Sequence, residues 1–476
     1  MKDVARRNPI IGGNTIVGEA GPREVIDPYD GSIVGEVTYV SRTQAESAIT
    51  AAISAFERTR IQSSGERSDV LNKCSRALAR DKEKIALLIT RESGKPITYA
   101  RAEVDRAVLT FAAAAEGARH ARDGHVIDLS AAPNGAGRRA SYQYFPLGVI
   151  VAITPFNFPL NLVAHKVAPA IASGNSIVLK PAPQTPLTSF ALADILVESG
   201  LIPGALNVVP CENQVAETLV THPEVKMVTF TGSTAVGWKL KALAAKARVT
   251  LELGGNGMII VDEIEDIEKL VKQLSMAAFN YAGQVCIGLQ NLLVRRSLYQ
   301  GLLDKLLEAA KSLPVGDPKD AKVVVGPMIS AQAAEKVDRW IAEAVSKGAK
   351  HLTGNFNSPK LIKPTILSNV PHVCEIWSDE AFGPILNVEA YDELSDAISI
   401  VNQSRYGLQA ALFSNDLSKI NRAYEQLEVG ALIVNDTNNY RVDSMPYGGV
   451  KDSGLGREGV VFAMREMSEM KLLVEK

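Results

Sequence analysis

The stretch VIVAITPFNFPLNLVAHKVAPAIASGNSIVLKP, Val149 to Pro181, sets the architecture. VIVAITP and SIVLKP are near-continuous β-branched and aliphatic runs, and Asn161 to Ala172 between them reads as a helix. Strands apolar on both faces, joined by helical crossovers, belong to a parallel sheet covered on both sides. The rhythm repeats downstream. A helix over Thr188 to Ser199, NVVP, a helix over Gln214 to Thr221, KMVTFTG, a helix over Ala235 to Ala247 and VTLELGG follow in turn. This is a doubly wound, Rossmann-like α/β arrangement of the nucleotide-binding kind. After Asn256 the alternation resumes with GMIIVD and continues to about Val434, so a domain boundary is expected near Leu253 to Asn256.

Upstream, residues 1 to about 40 read as short extended pieces, with a hairpin turn at Asp30-Gly31. Three helical patterns follow: AESAITAAISAFERTR, SDVLNKCSRALARDKEKIALLITRES and the alanine-rich run Ala100 to Arg119. From Gly124 to Val149 the pattern is a long two-stranded hairpin, HVIDLS and ASYQYFPLGV around the loop AAPNGAGRR. An isolated two-stranded arm is marginal in water, so a partner subunit is expected to cover it. The closing KLLVEK alternates as an edge strand would.

At 476 residues the chain is long enough for two or more domains, and 46% hydrophobic content supplies ample core. A net charge of −2 with intermixed signs leaves no basic footprint for nucleic acid or an anionic membrane. No apolar run is long enough for a membrane helix, and MKDVARRNPIIGGN lacks the apolar core of a secretory signal. The four cysteines (Cys74, Cys211, Cys286 and Cys374) are dispersed without metal or disulfide spacing. A reducing, cytoplasmic setting and no metal site are therefore expected. The six histidines show no ligand spacing and are expected to be structural or surface groups, as are Cys74, Cys211 and Cys374.

Four stretches carry chemistry. TPFNFPL places the polar Asn157 among aromatics and prolines at the carboxyl end of a sheet strand, where ligands of open α/β sheets bind. FTGSTAVG, Phe230 to Gly237, is a strand leading to a helix whose free amides suit a phosphate. LELGGN sets Glu252 between leucines at a strand end, an apolar setting that raises a carboxyl pKa toward that of a general base. AGQVCIGLQ, Ala282 to Gln290, follows a helical run over Leu270 to Tyr281 and holds Cys286 between glycines in a tight turn, with backbone amides close to the thiol.

TPFNFPL, VLKPAPQTPL, FTGSTAVG, LELGG, AGQVC, DEAFGPIL and MPYGGVKDSGLGREG, in this order, resemble the NAD(P)-dependent aldehyde dehydrogenase superfamily. The interval from Glu252 to Cys286, 286 − 252 = 34 positions, also matches the family spacing of base and nucleophile. The resemblance implies a Rossmann-like cofactor domain (1–123 and 147–252), an α/β catalytic domain (253–443), and an oligomerisation arm and C-terminal tail (124–146 and 444–476). It implies a homodimer or homotetramer. It makes Cys286 the nucleophile, Asn157 the oxyanion donor, Glu252 the base for thioester hydrolysis and Lys166 its neighbour in a proton relay. For NAD or NADP it assigns Lys180 to the adenosine ribose, and Gly232, Ser233 and Gly237 to the pyrophosphate. Glu380 and Phe382 fall to the nicotinamide ribose and ring, with Ile153, Thr154, Pro155 and Phe156 lining the cleft.

Three departures from the family pattern narrow the expectation. Pro183 stands where NAD-preferring relatives often carry a glutamate for the ribose 2′-hydroxyl, so NADP is permitted. Val285 stands where relatives acting on succinate semialdehyde or phosphorylated glyceraldehyde often carry arginine. Arg106, beside the entry tunnel, and Arg441, in a stretch reaching over the substrate mouth, are candidates to hold a polar or anionic tail. The run NYRVDSMPYGGVKDSGLGREG most resembles the lactaldehyde and glyceraldehyde branch, which implies a small hydroxylated aldehyde. An anionic aldehyde (succinate semialdehyde, or a phospho- or sulfo-aldehyde) is the alternative. A non-catalytic member of the superfamily is the reading from a different class.

Overall fold

The computed structural model describes residues 6–476, so the first five residues of the extended N-terminus lie outside the described residues. Two sheets organise the chain. The first has eight strands, and in spatial order its core is Arg248–Glu252, Val225–Thr231, Val149–Ile153, Ser176–Lys180 and Leu206–Val208, all parallel. Short antiparallel strands flank this core, Gly454–Leu455 on one side and Ile10–Ile11 followed by Asn14–Thr15 on the other. The second sheet has seven strands: Lys350–Thr353, Thr365–Ser368, Ile385–Tyr391, Asn291–Arg295, Met258–Val261, Gln409–Phe413 and Ala431–Val434. Only the Lys350–Thr353 edge runs antiparallel to its neighbour. This α/β architecture is the one the strand pattern implies, and the chain passes from one sheet to the other between Glu252 and Met258.

The strand order has a functional consequence. The chain winds outward from Val149–Ile153 through two strands, then returns to add Val225–Thr231 on its other side. That reversal leaves a crevice outside the carboxyl ends of the strands, where the loops diverge. In register Ile153 lies beside Phe230, and Thr231 beside Glu252. The chemistry-bearing ends of three strands therefore meet at one place.

Several elements differ from the sequence pattern. The second helical pattern is broken at Asp81 into Ser64–Arg80 and Lys82–Ser93. The third helix begins earlier, at Ile97, because Pro96 presets the turn before it. The helix expected to reach Ala247 stops at Leu243, and the one expected over Leu270 to Tyr281 spans Ile267–Phe279. In the arm, only His125–Ile127 pairs with the longer strand Arg139–Pro146, and the third strand is Ser468–Glu475 of the same chain. The stretch 444–476 is thus more than a tail. It caps the first sheet with Gly454–Leu455, packs the helix Val460–Glu466 on Ile97–Arg119 and Asn161–Ser173, and completes the arm.

Candidate active site

Asn157 lies in the loop after the central strand Val149–Ile153 and is almost fully buried. Its side-chain amide donates 2.9 Å to the carbonyl of Gln284, two residues before Cys286. The loop is fixed from behind by Glu103, whose Oε1 accepts the backbone N–H groups of Leu160 (2.9 Å) and Asn161 (3.1 Å). The helix Asn161–Ser173 has no side-chain cap of its own, so this distant carboxylate satisfies its first free amides.

Cys286 sits on a turn the backbone enters with three successive left-handed residues, Tyr281 (φ 49°), Ala282 (φ 53°) and Gly283 (φ 67°). Two of them are not glycine, a conformation costing on the order of 1–3 kcal/mol each unless the surroundings impose it. Here they do. Tyr281 Oη donates 3.2 Å to the Ser93 carbonyl, and Gln284 is held by Pro327 O and Ile329 N. At Gly283 a Cβ would lie 2.1 Å from the Gly383 carbonyl oxygen, so only glycine fits. The residue Cys286 is half-buried, and its Sγ lies 3.4 Å from the hydroxyl of Tyr447. Burial pushes the thiol up to about 11, with the Tyr447 hydrogen bond working in the opposite direction.

Glu252 ends the strand Arg248–Glu252 and is 3% exposed, and among the described residues neither carboxylate oxygen has a protein hydrogen-bond partner. Burial, reinforced by the nearby Glu458 carboxylate, raises its pKa well above the ordinary value. Lys166 is completely buried and donates to Glu458 Oε1 (2.9 Å) and Thr229 Oγ1 (3.1 Å). It acts on Glu252 through its charge alone. Burial works against ionisation of Glu458 too, but Lys166, His165 and Arg441 outweigh it and hold that carboxyl down at about 2.

A cavity of about 280 Å³ joins these groups. Asn157, Glu252 and Cys286 line it together with Pro155, Phe156, Gly232 and Ser233. Glu380 and Phe382 close it from the second sheet. Phe156 and Phe382 meet edge to face at 5.9 Å, and burial pushes Glu380 up to about 7 against a bond from the Gly255 N–H. Ser233 precedes the helix Thr234–Leu243 without capping it by its side chain, so amides at that N-terminus remain free for an anion. Lys180 is buried at the end of its strand, which lowers its pKa, and Pro183 is exposed nearby. Ile153 and Thr154 are buried at the strand end behind the cavity. Gly237 faces Leu253, whose Cδ2 would lie 2.3 Å from an added Cβ, which makes it a helix-packing position.

The two arginines differ from each other. Arg441 does not reach over a mouth: its side chain is 5% exposed, its guanidinium lies 3.6 Å above the Tyr447 ring, and it donates 3.1 Å to Glu458 Oε2. The surrounding carboxylates and ring draw it inward. Arg106 retains 29% side-chain exposure and grips Asp443 with two bonds, of 2.6 and 3.2 Å. Asp443 also accepts His165 Nε2 at 2.8 Å, so His165 belongs to the charged network behind the site and is no surface group. Val285 packs with Ile287, Leu408 and Tyr447 beside the nucleophile. Tyr447, Glu458, Asp443 and His165 carry no assignment from the sequence. The signal for the first two lay inside MPYGGVKDSGLGREG, and His165 neighbours Lys166 on a helix buried on all sides. Among the described residues no group of three or more His, Cys, Asp or Glu is close enough to hold a metal ion, and no helix is long and apolar enough to cross a membrane.

The thiol of Cys286, the amide of Asn157 and the carboxylate of Glu252 thus face one cavity at the carboxyl ends of the first sheet. The chain belongs to the aldehyde dehydrogenase family, whose model matches residues 16–473. It is 41% identical over 452 residues to the 3-sulfolactaldehyde dehydrogenase of Priestia aryabhattai, covering 95% of this chain and 94% of that protein. Its fold is similar to aldehyde dehydrogenase 21 from Physcomitrella patens in complex with the reaction product succinate (TM-score 0.97, 38% identity, 99% and 98% of the two chains). It is likewise similar to the NADP complex of glyceraldehyde-3-phosphate dehydrogenase GapN from Methanocaldococcus jannaschii (TM-score 0.91, 37% identity, 95% and 98%).

Proposed function

We propose that this chain oxidises a small hydroxylated aldehyde to its carboxylic acid with NAD+ or NADP+, through a thiohemiacetal and then a thioester on Cys286. One observation carries the reading: Cys286, Asn157 and a Glu252 without protein partners share one cavity. Cys286 attacks the carbonyl carbon, and the Asn157 amide and the Cys286 backbone N–H take the oxygen on which charge develops. A nicotinamide held beside Glu380 and Phe382 would supply the hydride acceptor that this oxidation needs. Glu252 then takes a proton from the water that hydrolyses the thioester, as a carboxylate with a raised pKa can. The charges of Arg441 and Lys166 favour its ionised form, against burial and the Glu458 carboxylate.

The residues present fit the cofactor. The uncapped helix start at Ser233 suits a pyrophosphate, Glu380 and Phe382 suit the nicotinamide ribose and ring, and Lys180 suits the adenosine ribose. Pro183 can neither bond a ribose 2′-hydroxyl nor repel a 2′-phosphate, which supports use of NADP. Assembly into a dimer or tetramer through the arm is supported by its outer strand Ser468–Glu475, where Met470, Leu472, Leu473 and Val474 are exposed. Four free cysteines support a cytoplasmic setting.

A second reading, an aldehyde bearing a sulfonate, phosphate or carboxylate, is supported by the part-exposed side chain of Arg106 and by the likeness to the sulfolactaldehyde enzyme. Both are tested by reduction of NAD+ and NADP+ with lactaldehyde, glyceraldehyde, its 3-phosphate, sulfolactaldehyde, succinate semialdehyde and plain alkanals. The first reading expects lactaldehyde and glyceraldehyde to give the highest kcat/KM. Preference for the anionic aldehydes, lost in Arg106→Ala, selects the second. Turnover as fast with a plain alkanal contradicts both.

A further inference from the structure

Tyr447 has no place in the reaction as described so far, yet its hydroxyl lies within hydrogen-bonding distance of the sulfur. It is 3% exposed, and Ile287 and Leu408 pack around its ring. Its backbone is pinned to Glu458 in both directions, N–H to carbonyl at 3.1 Å and carbonyl from N–H at 2.6 Å. A ring so fixed cannot swing away. Its hydroxyl is 3.4 Å from Cys286 Sγ, and among the described residues that sulfur is its only hydrogen-bond partner. Behind it, the Arg441 guanidinium sits 3.6 Å from the ring centre, held there by Glu458.

If Tyr447 only walled the site, phenylalanine would do the same, and a buried hydroxyl without a partner is costly. A thiol is a weak acceptor, whereas a thiolate accepts strongly, so the O–H···S contact gains most when the sulfur is charged. The cation under the ring draws electron density from it and makes the phenol a better donor. We propose that Tyr447 is a catalytic residue whose hydroxyl donates a hydrogen bond to the Cys286 thiolate, easing ionisation of the sulfur and aiming it before it attacks. The thiol proton leaves to water, and the phenol keeps its own.

The inference rests on Cys286 being the nucleophile, and its test needs neither aldehyde nor cofactor, so the two readings can fail separately. The charged groups facing the sulfur are Glu252 and Glu380, which oppose its ionisation, and Arg441, which favours it. The thiolate fraction of the full chain is followed by ultraviolet absorbance against pH, as the difference between each enzyme and its Cys286→Ala counterpart. Tyr447→Phe, which removes one oxygen, is expected to move the titration to higher pH by about one unit, a roughly tenfold smaller thiolate fraction at any pH below the midpoint. Alkylation of Cys286 by iodoacetamide is expected to slow by the same factor over that range. An unmoved titration overturns the proposal, whatever happens to turnover. So does a titration that moves equally in Tyr447→Phe and in Leu408→Ala, which loosens the wall but keeps the hydroxyl.

Discussion

Two buried clusters of charge lie on either side of the Asn157 loop, and they treat their carboxylates in opposite ways. In one, Glu103 accepts two backbone amides at the start of Asn161–Ser173 and pairs with Lys95, whose ammonium rests 3.5 Å above the Phe158 ring. Glu92 does the same for the helix Leu187–Glu198, accepting Leu187 N (2.9 Å), Thr188 N (3.0 Å) and the Thr188 hydroxyl. Neither helix has a side-chain cap of its own. In the other cluster Glu458 is gripped by Lys166 and Arg441, while Glu252 is left with both oxygens unpaired. Burying a carboxylate without partners is expensive, and a fold that has pairing chemistry at hand leaves one bare where something other than protein is to be bonded. The satisfied cluster holds the loops, and the unsatisfied one fits the proposed role of Glu252 as the base that activates water.

That contrast can be broken by substitution. Glu252→Gln removes the base and keeps the shape, so a burst of reduced cofactor should persist while steady turnover falls on the order of 10²–10⁴-fold. Stopped-flow absorbance separates the two phases, and equal loss of both would mean that Glu252 acts earlier. Lys95→Met should instead leave Glu103 in the core without its cation, with a loss of about 3–5 kcal/mol of stability in urea unfolding. A variant as stable as the parent would show that the pair is not structural.

Their pH behaviour sharpens the same difference. Glu252 has a folded pKa raised above its unfolded one, so between the two the folded state holds the extra proton. Stability is then fully present below the ordinary carboxylate pKa and is lost as pH rises through that window. Glu252→Gln cannot lose it. Its stability advantage over the parent should therefore grow with pH, by at most about 1.4 kcal/mol per unit, and a gap constant with pH would contradict the burial argument. The smallest effect lies at the exposed Pro183. Pro183→Glu should shift cofactor preference toward NAD+ by about tenfold or less, through repulsion of a 2′-phosphate and a bond to the 2′-hydroxyl. An unchanged ratio of NAD+ to NADP+ kcat/KM would place that choice on another residue.

What the sequence reveals follows the same division. Asn157, Glu252 and Cys286 each stand in a short motif at a strand end or turn, and it is the ordered set of seven motifs, more than any one of them, that singles these residues out. The sheet core was equally legible, because strands buried on both faces keep an unbroken apolar run through their whole length. The groups behind the site depend on contacts between residues far apart: His165 meets Asp443 across 278 positions, and Lys166 meets Glu458 across 292. No periodicity reports such a pairing. For the same reason Arg441 looked free to bind substrate, although Glu458 and the Tyr447 face hold it inside. The KLLVEK strand was visible as a strand, but its register along Arg139–Pro146 of its own chain was not.

The most direct test of the central claim, a thioester on Cys286 that Glu252 resolves, is the intact mass of Glu252→Gln mixed with lactaldehyde and NADP+. The account predicts a covalent lactoyl adduct that peptide mapping places on Cys286 and that is absent without the cofactor. No adduct, or one on Cys74, Cys211 or Cys374, would contradict it.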